Sequence, residues 1–167
     1  MSTDRNDLEF RVYVSFCVEK VTETLNARAE RFCTFLLILL GSAVFAEMSN
    51  TFVLGVAVAA IAAVQFVCRF GEAAGAAKAQ KHRYSGLLGS MSRLGDDELQ
   101  SRIDRIEELD TRSPSFIDVI AYNKACYMCE KEDGMRPLPT FAWLMAFLVG
   151  GHPCGHRVRK ESRSSAH

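Results

Sequence analysis

Two apolar runs stand back to back in this chain, Phe32 to Met48 and Phe52 to Cys68, parted by a short polar turn without Lys or Arg. Each approaches the roughly 20 residues a helix needs to cross a hydrocarbon core, with a lower limit near 17. A soluble domain seldom sets two helices that are apolar on every face side by side. From Phe32 to Cys68 the only formal charge is Glu47, at the end of the first run. Asp, Lys or Arg at a bilayer centre costs at least ~2.5–3.5 kcal/mol, so a bilayer selects this exclusion. The pair predicts an integral membrane hairpin. The competing reading is a hydrophobic hairpin buried in a soluble bundle.

Whole-chain averages hide this segregation. Net charge is zero and 24% of residues are charged, as in an ordinary soluble domain. Lys and Arg gather on both flanks: Arg5, Arg11, Lys20, Arg28 and Arg31 before the first run, Arg69, Lys78, Lys81, Arg83 and Arg93 after the second. The turn from Glu47 to Thr51 carries none. Positive charge stays cytoplasmic, so the expected topology is multi-pass in the cell (inner) membrane, both termini inside and the turn outside. The first run starts some 30 residues in and a second follows at once, unlike a signal peptide. No lipidation motif is visible. Six cysteines, at 17, 33, 68, 126, 129 and 154, lack secreted disulfide spacing; two lie in or beside the apolar runs, and the others, on cytoplasmic flanks, are expected to be reduced.

The flanks read as helices. Phe10, Val14, Cys17, Val21 and Leu25 form a helical stripe, and no Gly or Pro occurs before Gly41. The alternation in Leu8–Val18 suits a strand, but no partner strand is visible, so an amphipathic helix leading into the first span is expected over 1–31. The second span should run on as one helix from Phe52 to Met91, leaving the bilayer near Arg69. Gly95-Asp96-Asp97-Glu98 predicts a turn and a helix start with acids at its positive end. Leu99, Ile103, Ile106 and Asp110 track one face. Ser113 as N-cap and Pro114 as first helical residue restart the chain into a helix that ends near Gly134. Thr140 to Gly151 is apolar but too short to span. Followed by a basic tail, it is either an interfacial anchor or core. The expected units are 1–31, the hairpin 32–70, a cytoplasmic helical region 71–134, and an apolar segment with basic tail over 135–167.

Chemistry-bearing motifs are few. Cys126 and Cys129 form a CxxC, and with His152, Cys154 and His156 they would supply enough zinc ligands. The gap between the two groups is longer than in a zinc finger and filled by apolar residues, so an ordinary helical spacing of cysteines is the stronger reading. The acids at 96–98 and 107–110 alternate with Arg102, Arg105 and Arg112, as on a solvated helix face. No phosphate loop, nucleophile elbow or zinc-protease helix occurs. No catalytic residue, cofactor or nucleic-acid partner is expected.

The spans carry packing signals instead. Gly55, Ala59 and Ala63 stand four apart, as do Ser42 and Ala46. Small residues at that spacing let membrane helices approach closely, although both are common in such helices anyway. Gln65 lies deep in the second span and Glu47 at the mouth of the first. Both should face protein or water. In an oligomer they would line a pore. In a closed hairpin Gln65 would bond to Ser42 or to backbone.

The layout resembles a known family. An amphipathic helix ending in Arg28-Ala29-Glu30-Arg31 leads into two spans with a minimal outer turn. The second continues through Lys78-Ala79-Gln80-Lys81-His82-Arg83-Tyr84, and a small helical region begins near Leu94. Over Phe10 to Gly134 this is similar to the SLATT group of two-transmembrane effector domains. The resemblance implies an all-α membrane protein of bacterial nucleotide-linked conflict systems that opens pores on a signal. It also implies a cytoplasmic nucleotide-sensing or nucleotide-synthesising partner. The expected function is an oligomeric, pore-forming or membrane-perturbing effector gated through its cytoplasmic helices. The alternative is a non-catalytic adaptor whose hairpin anchors a protein-binding region at 94–134.

Overall fold

The computed structural model describes residues 2–45, 51–110 and 113–150, all of it helix, turn or loop without a strand. One helix dominates. α1 (Ser2–Phe45) runs unbroken for 44 residues, about 66 Å at 1.5 Å per residue. The absence of Gly and Pro before Gly41 permits this length. The expected amphipathic helix and first apolar run are therefore one element. α2 (Thr51–Cys68) lies beside the apolar half of α1.

The expected single helix from Phe52 to Met91 is broken. Arg69 adopts the left-handed conformation (φ 47°), which ends α2 and starts α3 (Phe70–Ser90). That conformation costs an L-residue about 1–2 kcal/mol. The guanidinium of Arg69 pairs with Glu72 in the first turn of α3. Gly71 then lets α3 approach α1, since a Cβ there would lie 2.6 Å from Glu30 Oε1. No hydrophobic pattern announces a single reversed residue, which is why periodicity missed it.

Two apolar clusters sit on opposite sides of the N-terminal half of α1. On one side α3 and α4 (Asp96–Glu107) bring Tyr84, Leu87, Leu99 and Ile103 against Val12. On the other α5 (Ser115–Met128) and α6 (Thr140–Val149) bring Ile117, Ile120, Ala121, Ala142 and Ala146 against Cys17 and Val21. Phe16 packs on both. Ion pairs tie the rim: Arg5 to Asp96 at 2.8 Å, Lys81 to Glu23 at 2.5 Å, and Arg11 to Glu107. Arg5 also donates to the carbonyls of Met91 and Leu94, closing the single 3₁₀ turn Met91–Arg93 that precedes α4.

Helix ends refine the sequence expectations. α4 starts at Asp96 after Gly95, as expected. Pro114, not Ser113, holds the N-cap position of α5, and the Ser113 hydroxyl donates to Asp118 instead. α5 stops at Met128 rather than near Gly134. The amide of Lys131 bonds to the Cys126 carbonyl and that of Glu130 to Tyr127, with Glu130 left-handed at φ 54°. This is a Schellman end in which Glu occupies the place usually taken by Gly.

The apolar segment after Pro139 packs one face on the bundle. α6 buries Ala142, Ala146 and Val149 in the core and leaves Phe141, Leu144 and Phe147 exposed. Asn123 folds it back: its side chain donates to the Arg136 carbonyl and accepts from the Arg136 amide, both at 2.8 Å.

Tyr84 is fully buried and donates to the Asp110 carboxylate at 2.7 Å. Gln80 donates to the same carboxylate at 2.7 Å, so two α3 side chains hold the end of α4. Burial and then Asp110 push the Tyr84 hydroxyl well above its usual pKa, so it stays a donor. Hydrogen bonds to charged groups contribute about 1.5–3 kcal/mol. Tyr84→Phe should therefore lower unfolding stability by about 1.5 kcal/mol, the low end because Asp110 is at the surface. Denaturant titration of the solubilised protein measures it; no shift of the midpoint would show that the hydroxyl is not an anchor.

Candidate functional site

The apolar stretch of the chain is uncovered. Among the described residues one helical stretch, Phe52–Arg93 with its kink at Arg69, is long and apolar enough to cross a membrane, and none of its most apolar window is buried by the rest of the chain. Phe52 and Phe66 are each 84% exposed. The competing picture of a hairpin buried in a soluble bundle does not fit this exposure. The C-terminal part of α1 is also bare, with Phe32, Phe35, Ile38 and Leu39 exposed. The last residues of the first run, Ala46, Glu47 and Met48, lie outside the described residues.

The half-covered positions of α2 are Leu54, Ala57, Val58, Ile61 and Gln65, which recur at helical spacing and mark the face turned to α1. Gln65 Nε2 donates to Thr34 Oγ1 at 3.3 Å. The within-chain partner of Gln65 is thus Thr34, not Ser42, whose hydroxyl bonds back to the Ile38 carbonyl at 2.8 Å. Gly55, Ala59 and Ala63 fall on another face and are exposed. A Cβ at Gly55 would meet nothing within 4 Å. The small-residue stripe therefore plays no part in pairing α1 with α2. Ser42 is likewise exposed on α1.

The end of this pair nearest α3 is polar. Glu30, Gln65, Arg69, Gly71 and Glu72 line an open depression there, together with Phe66 and Phe70.

The cysteine and histidine set does not assemble among the described residues. No group of three His, Cys, Asp or Glu side chains there is placed to hold a metal. Cys126 is buried in α5, and Cys129 caps that helix; His152, Cys154 and His156 lie outside the described residues. The Cys17 thiol is buried and donates to Met128 Sδ at 3.7 Å. Burial pushes it from 9.0 up to about 11 and also raises Cys129. A raised pKa lowers the share of thiolate, the form that reacts. Sequence reasoning missed one grouping, Lys20 of α1 with Lys124 of α5 across a cavity closed by α6. Their separation of more than 100 positions left no local signal.

No family model matches this chain, and no curated protein or solved structure matches it either. Function is therefore read from the geometry of this chain.

Two outcomes test these placements. First, Gly55→Leu or Ala59→Leu should weaken self-association in detergent or bilayers, because Leu holds backbones apart, whereas Val56→Leu should not. Equal behaviour of all three in crosslinking or sedimentation would reduce the stripe to composition. Second, a raised Cys17 pKa means that the folded state keeps a proton the unfolded state releases. Its contribution is complete below pH 9 and is lost as pH rises from 9 to about 11. A shift of two units leaves about 100-fold less thiolate at pH 8. Iodoacetamide at pH 8 should thus modify Cys17 at least about 100-fold more slowly in native than in denatured protein; equal rates by mass spectrometry would contradict the burial.

Proposed function

We propose that this chain is a membrane-embedded effector. In this reading α1 and α2 cross the cell membrane as a two-span hairpin with both termini cytoplasmic. Copies associate through Gly55, Ala59 and Ala63, joined by Ser42 of α1 and by Ala46, which lies outside the described residues. The oligomer opens a pore or perturbs the bilayer when its cytoplasmic helices receive a signal. The SLATT-type layout is part of the same reading, as is a cytoplasmic nucleotide-linked partner.

One observation carries it. α1 is a single helix that supplies buried residues to the bundle at one end and uncovered apolar residues at the other. A rigid rod cannot have its bundle end displaced without displacing its apolar end. α2 differs, because the left-handed Arg69 lets it change angle against α3. A shift in how α3 to α5 pack on α1 would then splay α2 from α1. The first polar bond to part would be Gln65 to Thr34. Parting it frees an amide in the last turn of α2, at the polar mouth of the pair, which lowers the cost of admitting water there.

Purified protein in liposomes should release a trapped dye or ion, and Gln65→Leu should reduce the release at equal incorporation. Thr34→Val is the discriminating companion. If Gln65 only ties the two helices together, both substitutions act alike, through a loss of about 0.6–2 kcal/mol of helix association. If Gln65 wets the path, Gln65→Leu closes it and Thr34→Val opens it. Liposomes that stay tight at every protein load, while a cytoplasmic protein binds residues 94–134, would favour the adaptor over the effector.

A further inference from the structure

We propose that the cavity between α1, α5 and α6 is a binding site for a small amphiphilic anion, an apolar ring or short chain bearing one phosphate or carboxylate. The cavity has a volume of about 270 Å³, near the lower end of the roughly 300–1,000 Å³ of small-molecule sites. Its wall is largely apolar, with Ile120, Met128, Met135 and Leu138, and it has two cationic residues, Lys20 and Lys124. No carboxylate lines it, and neither ammonium has a carboxylate partner among the described residues. The other inter-helix cations of the bundle, Arg5, Arg11 and Lys81, are each paired with an acid.

The cost of this arrangement is visible in Lys124. Its ammonium is half-buried, and burial followed by the charge of Lys20 lowers its pKa. Lys20 is exposed, with its ammonium 5.8 Å from the Phe16 ring, so water screens part of the repulsion and an anion between the two would remove the rest. An anion there removes the repulsion, and the apolar wall takes a hydrophobic body, so each half of the ligand has its own complement. Two ammoniums match the charge of about −1.5 to −2 on a phosphate monoester best.

Its distance from the apolar end of α1 favours a ligand from solution over a headgroup of lipid around that end: Lys20 lies twelve residues before Phe32 on the same helix, about 18 Å along the axis. The site is independent of whether the protein conducts, and its test uses no flux.

Full-length protein in phosphatidylcholine nanodiscs would be titrated with phenyl phosphate, inorganic phosphate and phenol. Phenyl phosphate should bind at least tenfold tighter than either fragment and protect Lys124 from acetylation. Lys20→Gln and Lys124→Met should each weaken it at least tenfold, and Lys78→Gln, on exposed α3 surface, should leave it unchanged. Lys124→Met should also raise the melting midpoint, since it removes a half-buried charge, whereas a lysine kept for structure would lower it. Equal binding of phenyl and inorganic phosphate, or binding indifferent to both cavity lysines, would overturn the site. Loss of phenyl phosphate binding in phosphatidic acid nanodiscs at equal surface charge to phosphatidylglycerol nanodiscs that retain it would overturn the soluble source.

Discussion

The structure depends on one helix serving two solvents. The first thirty residues of α1 carry apolar side chains on two opposed stripes and charges between them, so they can be covered from both sides by other helices. The remainder is apolar all round and, apart from the face against α2, is left exposed. Continuity of the backbone hydrogen-bond ladder through this change means that neither half can be placed without the other. α3 and α4 close one stripe and α5 and α6 the other, so the bundle is two half-shells around a shared rod rather than a ring of equal helices. Phe16 touches both shells and couples their packing.

The polar contacts reinforce this plan at the rims. Arg5 and Arg11 reach from α1 to α4, Glu23 reaches Lys81 of α3, and the Tyr84, Gln80 and Asp110 group joins α3 to the end of α4. Exposed ion pairs each contribute little, roughly 0–1 kcal/mol, so their role is to set register more than strength. On the other shell the equivalent duty falls to Asn123, whose two bonds to Arg136 aim α6 back at the core. Among the described residues no ion pair joins α1 to that shell, and neither Lys20 nor Lys124 has a carboxylate partner, an asymmetry that makes it the better place for a ligand.

Periodicity and punctuation made much of this legible. The stripe through Cys17 and Val21, the start of α4 at Asp96 and the Leu99–Ile103–Ile106 face all follow from local residue patterns, because each is an i, i+3 or i+4 relation within one helix. The features that escaped are relations between distant segments or reversals at single residues. Arg69 and Glu130 take a left-handed backbone that favours Gly and nothing in their side chains marks it. The small residues at 55, 59 and 63 were visible as a spacing, yet which face they occupy relative to α1 depends on how two helices roll together. Gln65 was visibly costly in lipid, but its choice of Thr34 over Ser42 is a matter of stagger. The meeting of Lys20 with Lys124 needs α5 to be folded onto α1 before it exists.

The order of synthesis gives the long first helix a further consequence. α1 is made before the residues that cover Cys17 and Val21, which run from Ile117 to Val149. About 100 residues must follow before that stripe is sealed, some 5–20 s at ordinary elongation rates. Through that interval α3 and α4 can already cover the Val12 side, so the stripe through Cys17 and Val21 is the one that stays bare longest. α5 and α6 thus act as the latch of a helix made long before them.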